Sequence, residues 1–286
     1  MKPFDQPSII RAVAIAALMA HRGRKRKSLT PSGAMAAFVV GFLSIACGMR
    51  GFLLLLFYLV GTKATKYKNQ LKSNLDQSSA ESSCRGPSQV LACSVFGVIF
   101  QLAHVYYYGQ ESSIDFSQSP QASSLACALI AHHATSLADT LASELGILSK
   151  SQPILITTGR RVPPGTNGGV TLLGTGFSAL GGLIIGIAAV ILDTINGLHV
   201  QPLSYVMFGI SCGILGSIVD SILGATLQVT HFDPEKKVVC NGSLVPASVH
   251  ISGRDVLSNA QVNVASILIT SIAGSLIGSY LFHYQN

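Results

Sequence analysis

The sequence predicts an all-α fold, a polytopic transmembrane helical bundle of about eight spans. Three observations carry that class. Only 11% of the 286 residues are charged while 49% are hydrophobic, against roughly a quarter charged in an average soluble chain. Uncharged runs recur at Ser28–Met49, Gly86–Gln110, Phe116–Ala138, Val162–Leu192, Thr194–Val219 and Val256–Asn286, each at or beyond the roughly 18–20 residues that cross a bilayer. The basic residues are also unevenly placed, and that asymmetry fixes the number and direction of the spans.

Taken in order, spans are predicted at roughly residues 7–20, 31–48, 51–66, 88–108, 124–148, 171–192, 203–229 and 259–282. The first is short, is interrupted by Arg11 and runs into the basic cluster HRGRKRK at His21–Lys27, which fits a retained helix better than a cleaved signal peptide. The start MKPFDQPS is neither Arg/Ser-rich nor free of acid, unlike an organelle transit peptide. The third is the shortest, and its terminal lysines must snorkel to the interface. Placing Arg22–Lys27 inside puts the 63–85, 149–170 and 231–258 connections inside as well. Those four segments hold sixteen of the nineteen Lys and Arg, whereas the opposite connections 109–123 and 193–202 hold none. This is the positive-inside pattern, and it supports eight spans with both termini outside.

The net charge of +7 is thereby a matter of topology. No basic stretch interleaved with aromatics points to nucleic acid. The six cysteines (Cys47, Cys84, Cys93, Cys127, Cys212, Cys240) show no CxxC or metal-ligand spacing, so neither a disulfide framework nor a zinc site is expected.

Topology gathers the unusual polar chemistry at one face. Asp139 and Glu144 lie near the inner end of the fifth span and Asp220 in the inner half of the seventh, while Asn259 and Asn263 open the eighth. Carboxylates in an apolar span are expensive and are functional by default; the bland reading is a hydrogen-bonded pair buried in the bundle. His132, Ser136, Asp139 and Ser143 share one helical stripe,. Five residues apart, Asp139 and Glu144 diverge by about 140° around a straight helix, so one ion does not reach both without a neighbouring helix or a kink. Ser136-x-x-Asp139 and Ser217-x-x-Asp220 form a short internal echo. In the seventh span Gly216, Asp220, Gly224 and Gln228 form a further stripe, where glycine equally suits a packing seam.

Between the fifth and sixth spans, Arg160 and Arg161 precede the turn Gly165-Thr166-Asn167-Gly168-Gly169. Glycines that admit close backbone approach, followed by a helix N-terminus, suit an anion. A plain tight turn explains the same residues, and the GK[ST] ending of a Walker loop is absent. On the residues alone, the prediction is an inner-face site for an anion and a cation, in one integral membrane domain over 1–286, built from 63–68, 136–171, 216–228 and 250–263.

Longer words carry a resemblance. KSLTPSGAMAAFVVGF (Lys27–Phe42), LADTLASELG (Leu137–Gly146), ITTGRRVPPGTNGGVTLLG (Ile156–Gly174), GSIVDSILGATLQ (Gly216–Gln228) and HISGRDVLSNAQVN (His250–Asn263) resemble the transmembrane protein 19 family. That family includes plant phytyl-phosphate kinase relatives, and plant proteins of this type have been named glucose-responsive regulators of the plasma membrane. CRGPSQVLACS (Cys84–Ser94) keeps only the Gln-Val and Cys positions of the family's corresponding stretch, and the chain has no Trp.

The resemblance implies a phosphotransferase that phosphorylates an isoprenoid-type lipid monophosphate with a nucleoside triphosphate. It implies Mg²⁺ on Asp139, Glu144 and Asp220, the three candidate catalytic residues. Phosphates would lie on Lys63 or Lys66, Arg160, the turn Gly165, Thr166, Asn167, Gly168 and Gly169, and Asn259 and Asn263. The alternatives are a regulatory membrane protein of sugar response without turnover and an ion-coupled transporter. The expected partners are the lipid bilayer, the nucleotide and the lipid phosphate; a plasma membrane or endomembrane is expected ahead of the chloroplast envelope.

Overall fold

The computed structural model describes residues 2–76, 84–241 and 248–282. Most of the chain is helical. We label the helices α1 (Gln6–Lys25), α2 (Pro31–Cys47), α3 (Phe52–Lys66), α4 (Asn69–Ser73), α5 (Pro87–Ala92), α6 (Val95–Tyr108), α7 (Pro120–Gly146), α8 (Leu172–Ile195), α9 (Pro202–Leu227) and α10 (Asn259–Leu281). Many of their starts are written locally. Proline stands in the first turn of α1, α2, α5, α7 and α9, where its missing N–H has no intrahelical partner to lose. Thr30 and Thr171 accept from the backbone N–H groups of Gly33 and Gly174, and Ser258 with Gln261 forms a full capping box on α10,.

The bundle is organised around α7. Its 27 residues pack against α3, α6, α8, α9 and α10, and an uninterrupted run from Ala126 to Ala138 is buried. The helices facing outward are more apolar than this central one. Among the described residues, α8, α9 and α10 are the helices both long and apolar enough to cross a membrane, while α2 and α6 are apolar but shorter. Such an inversion is physical, because α7 meets protein on all sides and need not be greasy, whereas α8 turns Leu180, Ile187 and Ile191 outward,.

Two findings modify the all-α expectation. The predicted fourth span is broken at Cys93–Ser94 into α5 and α6. Short antiparallel strands also lie at one end of the bundle: β1 (Ile154–Leu155) pairs with β2 (Gly169–Val170), and β3 (Thr230–Asp233) sits between β4 (Val238–Asn241) and β5 (Val249–Ser252). The segment after β5 returns to α9, where the N–H groups of Arg254, Val256 and Leu257 bond the carbonyls of Thr226 and Leu227. The open carbonyls of the helix end are thus satisfied by chain rather than by water.

Candidate functional site

A cavity of about 1090 Å³ opens at the end of the bundle that carries these strands. Its two halves differ in chemistry. One is apolar, lined by Ile15 and Met19 of α1, Ala37 and Val40 of α2, and Leu54 and Tyr58 of α3. The other is polar and acidic, lined by Asp76, Asp139, Glu144, Asp220 and Asp255, with Arg85 as a basic group on the same wall.

The centre of the polar half is a carboxylate pair. Helices α7 and α9 run toward the cavity side by side, and Gly216 is the reason they come close. A Cβ at Gly216 would stand 2.3 Å from Thr135 Cγ2, so only glycine allows this crossing. One turn further along each helix, the carboxyls of Asp139 and Asp220 come within hydrogen-bonding reach of each other. The two Ser-x-x-Asp words therefore lie side by side on parallel helices. Ser266 of α10 donates to Asp220 Oδ1 at 3.0 Å. Asn263, one turn before Ser266, also lines the cavity. Two like charges in contact near an apolar wall require a shared proton or a bound cation.

Glu144 stands apart from this pair. It forms an ion pair with Lys72, whose ammonium is fully buried and also donates to the carbonyls of Ala64 and Thr65 at 3.2 and 2.6 Å. Lys72 thus closes the C-terminal end of α3, the position where a cation is favoured. Among the described residues no group of three or more His, Cys, Asp or Glu side chains is arranged to hold a metal. Asp139, Glu144 and Asp220 are therefore a pair plus a neighbour, as the angular offset along α7 requires.

The glycine turn does line the cavity, but most of its amides are occupied. The N–H of Thr166 bonds Pro163 O, that of Asn167 bonds Thr230 Oγ1, and that of Gly169 bonds Thr166 O. Gly168 has φ of +76°, and a Cβ there would lie 2.4 Å from Ala225 Cβ and 2.5 Å from Ser221 O. Its role is close docking of the β1–β2 hairpin on α9, nearer the plain-turn reading than an open nest of N–H groups. Arg160 and Arg161 are exposed on that hairpin away from the cavity wall. Lys63 and Lys66 are exposed as well, and Lys66 donates to Arg26 O at 2.5 Å. Asn259 stays on the rim.

Sequence reasoning missed Arg85, Lys72 and Asp76. Arg85 lies against the Phe57 ring with 5.8 Å to its centroid and reaches Thr65 Oγ1 at 3.4 Å. These residues sit in the stretch of lowest apolar periodicity, and their only sequence signal is charge among many surface charges.

At the opposite end of the bundle lies a second cluster that the sequence reading did not single out. Arg50, 1% exposed, donates through Nε and Nη2 to Asp193, itself 0% exposed, at 2.7–3.2 Å. Tyr205 Oη donates to the same carboxylate at 2.5 Å, and Arg50 Nη2 also bonds Ser112 O at 2.8 Å. Glu111 accepts from the N–H groups of Met49 and Arg50 at 2.8 Å and from Asn196 Nδ2 at 3.0 Å.

Comparison with known proteins places the chain in a family. The chain is 37% identical over 290 residues to Protein PGR of Arabidopsis thaliana, covering 99% of this chain and 100% of that one. It is 28% identical over 255 residues to the Arabidopsis thaliana Protein VTE6, chloroplastic, covering 88% of this chain and 66% of that one. An uncharacterized membrane protein of Methanocaldococcus jannaschii is 25% identical over 268 residues, covering 93% of this chain and 92% of its own length. No solved structure matches. The preference for a plasma membrane or endomembrane over the chloroplast envelope finds no support here, since one relative is named chloroplastic. The family model for Integral membrane protein DUF92 matches residues 14–271, and the chain belongs to that family of integral membrane proteins.

Proposed function

We propose that the chain is a membrane-embedded phosphotransferase that passes a phosphoryl group from a nucleoside triphosphate to a lipid monophosphate of isoprenoid type. The observation that carries this reading is the divided cavity. An apolar half between α1, α2 and α3 suits a hydrocarbon tail, and it leads directly into a polar half suited to a phosphate head,. The resemblance to phytyl-phosphate kinase relatives names the substrate class. We also propose eight spans, with the cavity on the Lys/Arg-rich side of the membrane.

The donor set fits a magnesium ion. Mg²⁺ is commonly held by one or two carboxylates together with substrate phosphates rather than by an all-protein cage, and Asp139 with Asp220 is such a pair. When bound, the ion supplies neutralisation of phosphate charge. Ser266 orients the Asp220 carboxylate, and Gly216 sets the distance between the two helices. Arg85, on the same polar wall as the carboxylates, would meet phosphate oxygens, a task for which a planar fork of donors is suited,. Lys72 keeps Glu144 turned from the pair. The acceptor is already an oxyanion, so the site needs no strong general base. Positioning and exclusion of water carry the rate.

The experiment is thermal unfolding of the detergent-purified protein with Mg²⁺ and each of CTP, ATP, GTP and UTP, alongside turnover of a lipid monophosphate. A nucleotide at 100 times its Kd adds about 2.7 kcal/mol of stability. That shift is expected for one nucleotide, to require Mg²⁺, and to vanish with turnover in Asp139→Asn. Turnover retained by Asp139→Asn defeats the assignment. A second reading, a regulatory membrane protein without turnover, draws on the resemblance to glucose-responsive regulators and predicts no shift with any nucleotide.

A further inference from the structure

The seam between α6 and α7 contains polar atoms that the bundle does not satisfy. Among the described residues, both side-chain atoms of Gln101, both ring nitrogens of His104 and of His133, and Nδ1 of His132 are buried without a protein partner. All four side chains are at most 5% exposed. Left dry, each such atom forfeits the hydrogen bonds it makes to water, and lipid offers nothing to bond it. Buried polar groups that protein leaves unpaired are places for internal water.

Their order along the helices makes a line. His132 and His133 stack edge to face with ring centroids 4.8 Å apart. Both rings lie against Gly97 of α6, where a Cβ would be 3.1 Å from His132 Nε2 and 3.3 Å from His133 Nε2. Gln101 is the next turn of α6 and His104 the turn after, about 5.4 Å per step, a gap that one water bridges. At the cavity end, His132 Nε2 bonds Cys93 O at 3.1 Å, and Cys93 lines the cavity. At the other end, a void of about 10 Å³ is bounded by Gln101, His104, Cys47, Arg50 and Glu111, the room that one water requires.

We propose that this seam is a hydrated proton path: water held by Gln101, His104, His132 and His133 joins the Arg50–Glu111 cluster to the cavity at Cys93. A proton arriving at the Glu111 end displaces one at each O–H or N–H along the file, and one proton leaves into the cavity. Counter-ion movement balances the charge. A void of this size excludes hydrated metal cations. The charge of Arg50 does not bar protons, because Asp193 neutralises it at 2.7 Å and Glu111 adds a carboxyl beside it. The charged and titratable groups facing this end are Arg50, Asp193, Tyr205, His104 and Cys47. Burial, against the pull of Arg50, holds the Glu111 carboxyl above its usual range.

The test reconstitutes the full chain in phosphatidylcholine liposomes with entrapped pyranine and imposes a potential with potassium and valinomycin. Wild type is expected to acidify the lumen faster than protein-free vesicles. Gln101→Leu and His133→Phe are expected to cut that excess about tenfold or more, the rate equivalent of one lost buried hydrogen-bond partner. Gln101→Glu and His133→Gln, which still bind water, are expected to keep it. Wild-type flux no faster than protein-free vesicles overturns the proposal without recourse to any variant. So do Leu and Phe variants that melt and conduct like wild type. Asp139→Asn is expected to leave the flux intact, so the path and the phosphotransferase reading fail separately.

Discussion

The two ends of the bundle solve the same problem in opposite ways. Both place carboxylates where water is scarce. At the closed end, Asp193 and Glu111 are answered from within: a bidentate guanidinium, a phenol, an amide side chain and two backbone N–H groups. At the open end, Asp139 faces Asp220, and beyond the single Ser266 bond the pair looks into a cavity shared with further acids. A cluster that is internally complete holds helices together. One that is internally repulsive waits for something from outside.

The sharpest way to break this comparison is to unbalance the closed end. Arg50→Met leaves Asp193 buried without its cation and is expected to destabilise the protein by about 3–5 kcal/mol, read as a lowered melting temperature in detergent. Adding Asp193→Leu should recover much of that loss. If Arg50→Met melts like wild type, the closed end is not structural. Next in size is Gly168→Ala, which forces a Cβ into Ala225 at positive φ. It should cost about 1–3 kcal/mol and loosen the hairpin from α9, visible as faster proteolysis within 154–170.

Glu144→Gln sharpens the open end. It removes a charge-assisted bond to Lys72 worth about 1.5–3 kcal/mol yet should leave Mg²⁺-dependent nucleotide stabilisation in place. If that stabilisation disappears with the fold intact, Glu144 belongs to the metal site after all. Arg160→Ala should be the smallest effect, within about 0.5 kcal/mol as for most surface substitutions, with nucleotide affinity unchanged. Weakened affinity there would return the hairpin to the phosphate site.

How much of this was legible in the sequence depends on the kind of signal. Most helix positions were, the break at Cys93–Ser94 excepted, because uncharged runs are local. So was the convergence of Asp139, Asp220, Asn263 and the glycine turn on one face, since alternation of spans dictates which ends meet. The contact between Asp139 and Asp220 was hinted at by the repeated Ser-x-x-Asp word, but it needed the register of two helices 81 positions apart, set by Gly216 against Thr135. Arg50 and Asp193 were hidden at the edges of uncharged runs, where a charge ordinarily meets headgroups; only tertiary structure shows them facing each other. Lys72 and Arg85 looked like topology determinants because they share their loop with surface lysines. The strands near 230–252 are four residues each, and in a chain dominated by helical runs their alternation is too brief to register.

The polarity of α7 also bears on how the protein is made. A segment emerging from the ribosome partitions into the bilayer according to its own hydrophobicity, and charged or strongly polar residues near its centre oppose that step. Residues 120–146 carry two histidines, two acids and a run of serines and threonines, so as an isolated segment this helix is a poor candidate for insertion. Most of its shelter is supplied by α8, α9 and α10, all synthesised later. The segment at the heart of the finished bundle is therefore the one whose place in the membrane is secured last, by partners that the ribosome has yet to deliver.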